Sequence, residues 1–207
     1  MIDASLIVSA AALIFTVGSF YWLQARKGQM RAQKVSTFSG AIRPDGVFLR
    51  LPIMIYNTGA KPRVVSGLRL RFCGGEQEVL ECQTFRTGLE AKTGDTQDFF
   101  HPYVVPGRGI DTKFAQFQGR YLPHRFGDEP TFFDIEVQCE GSPKWKAIGR
   151  VEVHTEIMHT AIYITYSNNP GVWTENILKD AKAWRAELAA KAGAVAPPQG
   201  EEGDARG

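Results

Sequence analysis

Twenty consecutive residues near the N-terminus, Ala4 to Leu23, carry no charge. As a helix rising 1.5 Å per residue they span about 30 Å, the hydrocarbon thickness of a bilayer. Nine of the twenty are Leu, Ile, Val or Phe, which favour insertion, while Ser5, Ser9, Thr16, Gly18 and Ser19 moderate it. The segment has no polar stripe of the kind that a helix buried in a soluble core carries. It also lacks the marks of a cleaved signal peptide. It opens Met1-Ile2-Asp3 without a basic residue, and its one well-formed small-x-small triplet, Ala10-Ala11-Ala12, lies too near the start to end an apolar core. Residues 1–24 are therefore expected to be a transmembrane anchor.

Charge orients that anchor. Asp3 is the only charged side chain before it, whereas Arg26, Lys27, Arg31 and Lys34 follow with no acid among them. The positive-inside rule then predicts a single pass of the cell membrane, N-terminus outside and C-terminal domain cytoplasmic. Tyr21 and Trp22 stand where an interfacial aromatic belt belongs, and each base of the connector 25–34 adds about 1 kcal/mol of attraction to anionic lipid. The lipid bilayer is thus the expected partner of Tyr21, Trp22, Arg26, Lys27, Arg31 and Lys34. Ser5-x-x-x-Ser9 is a small-x-x-x-small pattern, a route by which two anchors could pack as a homodimer.

Past Lys34 the pattern changes to alternating segments separated by turn residues, and residues 35–171 are expected to form one β domain. Val35 to Ile42 suits a first strand, and Arg43-Pro44-Asp45-Gly46 a tight turn. Val47, Leu49, Leu51, Ile53 and Ile55 fall on one face of the next strand, with Phe48, Arg50, Met54 and Tyr56 opposite. Pro52 lacks a ladder donor, which predicts an edge strand or a bulge. Leu68, Leu70 and Phe72 alternate with Arg69 and Arg71, an outward pair that reads as a solvated face and a candidate partner surface. Phe133, Ile135 and Val137 alternate with Asp134, Glu136 and Gln138, which puts both acids on a solvated sheet face. Seven or eight short strands with no helix between them predict a mainly β fold, an antiparallel immunoglobulin-like sandwich. A helical period returns over 172–193, where Trp173, Ile177, Ala181, Trp184 and Leu188 share one face of an amphipathic helix. Trp173 and Trp184 make that face the second candidate partner surface. Residues 194–207, rich in Ala, Pro, Gly and Glu without periodicity, are expected to be a disordered tail.

Little in the chain points to chemistry. It has no Gly-x-x-x-x-Gly-Lys-Ser/Thr, no Gly-x-Gly-x-x-Gly after a strand and no Gly-x-Ser-x-Gly. A net charge of +2 and a pI near 8.4 fall short of the basic balance of a dedicated nucleic-acid binder, so no nucleic acid is expected. His154 and His159 are five apart, which suits neither one helix face nor one strand face, so they predict no joint metal site. Three cysteines leave at least one unpaired, which fits a reducing compartment. A turn at Gly74 to Gln77 sets Cys82 about 13 Å along the hairpin from Cys73, counting 3.3 Å per strand residue. A disulfide reaches only about 7 Å between alpha carbons. No catalytic residue, cofactor or metal is expected.

Ile55-Tyr56-Asn57-Thr58-Gly59-Ala60-Lys61-Pro62, followed by Leu68-Arg69-Leu70, resembles the Asn-Thr-Gly hairpin region of bacterial immunoglobulin-like β-sandwich modules, including the adhesion-type domains of repeat proteins. Physically, Asn57 can bond its own downstream backbone and Gly59 can take positive φ, ending a strand and reversing the chain. The resemblance implies a sandwich with a binding or spacer role, in modules that are commonly extracellular, whereas the charge bias here points to the cytoplasm. Copper-delivery proteins of oxidase assembly share the layout but need paired cysteines, and Cys73 and Cys139 stand alone. Pilin-like subunits need a basic leader and an acid inside the apolar run. The expectation is a non-catalytic membrane protein that presents its sandwich for binding or scaffolding to an unidentified protein partner. Its alternatives are a membrane-tethered hydrolase or thiol enzyme with a site assembled from distant residues, and an envelope-facing assembly subunit.

Overall fold

The computed structural model describes residues 3–75, 77–90, 92 and 94–194. Its first element is α1 (Ala4–Phe20), capped by Asp3, whose carboxylate accepts from the Ser5 amide at 3.1 Å. That cap sets a negative charge at the positive end of the helix dipole. Two hydroxyls within α1 turn back onto the backbone. Ser9 donates to the Ser5 carbonyl and Thr16 to the Ala12 carbonyl, each at 2.8 Å, so neither needs a partner outside the helix. The final turn, Tyr21–Ala25, widens to the i to i+5 spacing of a π turn, with the Arg26 amide donating to the Tyr21 carbonyl at 2.9 Å. The helical stretch Ala4–Ala25 contains an apolar run with a mean hydropathy of 1.9, none of it buried in the protein. It is long and apolar enough to cross a membrane, and it is not a core helix.

The rest is mainly antiparallel β. The strands are β1 (Met30–Ala32), β2 (Thr37–Arg43), β3 (Gly46–Asn57), β4 (Arg63–Phe72), β5 (Val79–Arg86), β6 (Gln97–Phe99), β7 (Tyr103–Val105), β8 (Ile110–Gly119), β9 (Thr131–Cys139), β10 (Trp145–Val153) and β11 (Ile164–Ser167). They pair in the order β10-β9-β4-β5-β8-β3-β2-β11, with β1 on β3, β6 on β5 and β7 on β4. Three-residue strands such as β1, β6 and β7 are too short for alternation to register, which is why eleven strands appear among the described residues where seven or eight were expected. Bulges between Val65 and Gly67, Cys82 and Thr84, and Ala147 and Gly149 bend β4, β5 and β10. The sheet curls until β1 meets β10, where a Cβ on Gly149 would lie 3.1 Å from that of Ala32.

Strand β3 organises the core. Val47, Leu49, Leu51, Ile53 and Ile55 are all buried, and so are Leu68, Leu70 and Phe72 across the fold. The β4 bulge shifts the alternation by one, so Val65 also points inward although its parity differs from theirs. Pro52 does not mark an edge, because β3 is flanked on both sides. On one side β8 pairs with it throughout, and on the other the ladder passes from β2, ending at Arg50, to β1, starting at Ile55. Pro52 falls in that gap, where a missing donor costs least.

The outward faces are less bare than alternation implies. Arg50 is 2% exposed because residues 87–90 and Asp95 fold over it. Asp134 and Glu136 are buried too, roofed by arginines from β4 and β10. Beyond β11, α2 (Glu175–Ala194) lies over the turn Thr155–Ile157. Ala181 and Leu188 are fully buried there, and Trp184 packs against the core. Residues 195–207, almost all of the expected tail, lie outside the described residues. At about 3.3 Å per residue β3 is some 40 Å long, so the fold has two well-separated ends. One receives the apolar helix; the other carries α2.

Candidate functional site

The apolar helix meets the β domain at a tight junction of three backbone segments. The first is the connector Arg26–Gln29, and the second is the turn between β3 and β4. Asn57, 2% exposed, shapes that turn from within: its side-chain oxygen accepts from the Gly59 amide at 2.9 Å and its amide donates to the Lys61 carbonyl at 2.8 Å. The Thr58 amide donates to the Gln29 carbonyl at 3.0 Å, the Gln29 amide to the Thr58 hydroxyl at 2.9 Å, and the Ala60 amide to the Arg26 carbonyl at 3.1 Å. Gly59 does not take the positive φ expected of it. Its glycine is required by proximity, since a Cβ there would lie 2.6 Å from the Gly28 nitrogen.

The third segment is the turn Pro106–Gly109 between β7 and β8. The Arg108 amide donates to the Gly59 carbonyl at 2.8 Å, and its guanidinium reaches the Trp22 carbonyl at the end of the apolar helix. Arg108 adopts φ 51°, the left-handed region that a non-glycine residue enters only when held there. Arg26 stacks on the Trp22 ring, 4.0 Å from its centroid. Tyr21 and Trp22 remain more than half exposed. Arg31, in β1 opposite Tyr56, and Lys34 just beyond it are exposed as well. Arg26 and Lys27 come together with Lys61 and Arg63 around a cleft of about 260 Å³. Lys61, Arg63 and Arg108 were not singled out from sequence. The available signal was that both turn tips, 58–62 and 106–109, flank strands entering from the same end of the sheet.

The two surfaces proposed for partners are built differently. Arg69 and Arg71 both donate to Glu136, at 2.8 and 2.7 Å, while Asp134 accepts from Arg71 at 2.8 Å and from Arg150 at 3.0 Å. Hydrogen bonding to Glu136 pushes the Arg71 guanidinium further up from its ordinary value. Arg69 also covers the Trp145 ring at 4.1 Å, and Gly67 leaves the space, since a Cβ there would meet that ring at 2.7 Å. This face is therefore an internally paired charge ladder. Trp173 precedes α2, donates to the Ser167 carbonyl at 3.0 Å and stands edge-on to His154, centroids 4.8 Å apart. Trp173 and Trp184 both pack against the core, so they hold the C-terminal segment down. Arg185 completes that attachment by donating to the Glu156 carbonyl and, at 2.6 Å, to Asp128, whose carboxyl it holds below the usual range.

A cleft of about 510 Å³ at the end remote from α1 is lined by both Cys73 and His124. His124 instead bonds Glu78 at 3.1 Å, beside the Arg125 contact of 2.6 Å to the same carboxylate. Burial, then the neighbouring Asp134, pushes the Cys73 thiol up, the wrong direction for a nucleophile. His154 bonds Glu156 at 2.6 Å, while His159 bonds the Ile157 carbonyl at 3.0 Å and stands edge-on to Tyr166. The three cysteines are free, and burial pushes Cys82 up to about 12. Because the thiolate is the reacting species, Cys82 is expected to resist alkylation at mildly alkaline pH in the native protein and to react on denaturation. Mass spectrometry after labelling under both conditions checks this; native labelling of Cys82 as fast as of half-buried Cys139 would refute it.

No protein-family model, curated protein or solved structure matches the chain.

Proposed function

We propose that the chain is a single-pass membrane protein that holds a non-catalytic, immunoglobulin-like binding or scaffolding module at the cytoplasmic face. The observation that carries this reading is the junction between the apolar helix and the domain. A helix whose connector is tied by backbone hydrogen bonds to the β3–β4 turn, and whose last turn meets the Arg108 guanidinium of the next turn, presents that domain in one attitude to the bilayer. A module preset in this way loses less freedom when it captures a partner. Strand order favours the sandwich. β10-β9-β4-β5 and β8-β3-β2 make two leaves joined where β5 meets β8, and in chain order β2, β3, β4, β5, β8, β9 and β10 occupy the places of A, B, C, C′, E, F and G. The basic residues after the helix, against the lone Asp3 before it, favour the cytoplasmic side.

Protease protection in sealed, oriented vesicles, with a tag at the C-terminus, tests the proposal. Cleavage of the domain only from the cytoplasmic side is expected. Cleavage only from the outer side would overturn the orientation and favour an envelope-facing assembly subunit. Release of the whole chain by alkaline extraction would overturn the anchor itself.

A further inference from the structure

The cleft at the membrane-proximal junction has a composition that the anchor alone does not explain. Its charged lining residues are Arg26, Lys27, Lys61 and Arg63, with no acid among the residues around it. Among the described residues none of these four forms an ion pair, although Arg50, Arg69, Arg71, Arg86 and Arg150 on the sheet all do. Four like charges around one concavity focus a positive potential that concentrates anions there. Arg69, Arg71 and Arg150 show what the same fold does elsewhere, since each is neutralised by Asp134 or Glu136.

Position identifies the anion. A helix spanning Ala4–Ala25 is about 33 Å long at 1.5 Å per residue, just longer than the hydrocarbon layer, which sets Arg26 and Lys27 at headgroup depth. The bonds from Thr58 and Ala60 to Gln29 and Arg26 hold Lys61 and Arg63 at the same depth. Two of the four cations, Lys61 in the turn and Arg63 at the start of β4, thus come from thirty-odd residues away in sequence and are brought to the bilayer surface by the fold. Arg26 is also braced against Trp22, which limits its freedom before any ligand arrives.

We propose that this cleft binds the phosphate of an anionic phospholipid headgroup in the leaflet that faces the domain. The inference rests on the reading of Ala4–Ala25 as a membrane anchor, but not on which side of the membrane the domain occupies. Arg26 and Lys27 also orient the anchor, so the informative substitutions are those at Lys61 and Arg63. The full chain is reconstituted in nanodiscs of mixed phosphatidylcholine and phosphatidylglycerol, and the lipids it retains are read by native mass spectrometry. The native protein is expected to retain phosphatidylglycerol preferentially. At roughly fivefold per cation near an anionic surface, the double variant Lys61→Glu, Arg63→Glu is expected to lose about tenfold or more of that preference. Arg120→Glu with Lys179→Glu makes the same charge change at the opposite end of the fold and is expected to leave the preference intact.

Equal loss in both double variants would show that only net charge matters, and would overturn the site. Retention of no preference by the native protein would overturn it as well. If glycerol phosphate added to the detergent-solubilised chain displaces phosphatidylglycerol at matched concentration, the cleft takes soluble phosphate esters and the lipid assignment falls. A chain inserted with its domain outside would fail the protease test yet keep the lipid preference, so the two proposals fail separately.

Discussion

Replacing Arg50 with methionine is expected to lower the stability of the β domain by about 3–5 kcal/mol, the usual effect of removing one partner from a buried ion pair. Arg50 sits on β3 at 2% exposure and holds down the segment after β5. Its Nη1 lies 2.9, 3.2 and 3.1 Å from the carbonyls of Gly88, Leu89 and Glu90, and 3.0 Å from Asp95. That nitrogen carries only two protons, so the four contacts share them, and of the three carbonyls only that of Leu89 has a second side-chain donor, the Ser39 hydroxyl at 2.8 Å. Without the guanidinium, Asp95 keeps only Arg86 at 3.7 Å and Thr87 at 3.0 Å, and the carbonyls of Gly88 and Glu90 face a thioether. Urea titration of the full chain in detergent reads the loss, and trypsin reads its location, since Lys92 should become an early cleavage site. The second substitution Asp95→Leu on the same background is expected to recover part of the loss, because the buried charge left behind goes with it. A single variant within 1 kcal/mol of the native protein would mean that the segment does not depend on Arg50.

The burial of Arg50 also marks where sequence periodicity stops informing. Val47, Leu49, Leu51, Ile53 and Ile55 were legible because one side of β3 is dry along its whole length, and burial of every second residue is a local signal. The other side of the same strand was not, because what covers it is an aperiodic stretch almost forty residues later. Strand β9 fails differently. Asp134 and Glu136 alternate with apolar residues as a solvated face would, yet both are buried, since arginines spaced to meet them arrive from β4 and β10. Strand pairing decides that outcome, and pairing is a property of the whole chain. Pro52 is a third case: its missing donor predicts an edge or a bulge, and β3 has neither there, because the proline falls in the gap between two neighbours of a central strand.

The basic cleft beside the apolar helix divides the same way. Arg26 and Lys27, which line it, stand out in the sequence from their place after an uncharged run, a pattern with a one-dimensional cause. Lys61, Arg63 and Arg108 carried no local signal, because their role depends on two turns arriving at one end of a curled sheet. The short stretch around Asn57 did predict a turn, and Asn57 does bond its own downstream backbone. Gly59 is there for a reason that no turn rule contains, the passage of another glycine against it.

That contact supplies the second large effect. Alanine in place of Gly28 is expected to make tryptic cleavage after Arg26 and Lys27 about ten- to a hundredfold faster in the nanodisc-embedded protein. A Cβ at Gly28 would lie 1.8 Å from the Gly59 nitrogen, 2.2 Å from its Cα and 2.3 Å from the Thr58 carbonyl carbon. All three are backbone atoms, so no side-chain rotation relieves the overlap, and forced overpacking costs about 1–3 kcal/mol. Separating the segments further sacrifices the Gln29–Thr58 and Ala60–Arg26 hydrogen bonds. Each 1.4 kcal/mol raises the open population about tenfold, and cleavage follows that population when opening is fast. The domain's own unfolding midpoint should move less, since Gly28 lies outside every strand. Gly88→Ala, at a site with nothing within 4 Å of the added carbon, serves as the matched control. Faster cleavage in Gly28→Ala alone would establish that the connector is clamped and that the domain is held rigidly to its anchor. Unchanged cleavage would mean that the domain hangs on a slack tether, removing the geometric basis for both its fixed attitude and the headgroup cleft.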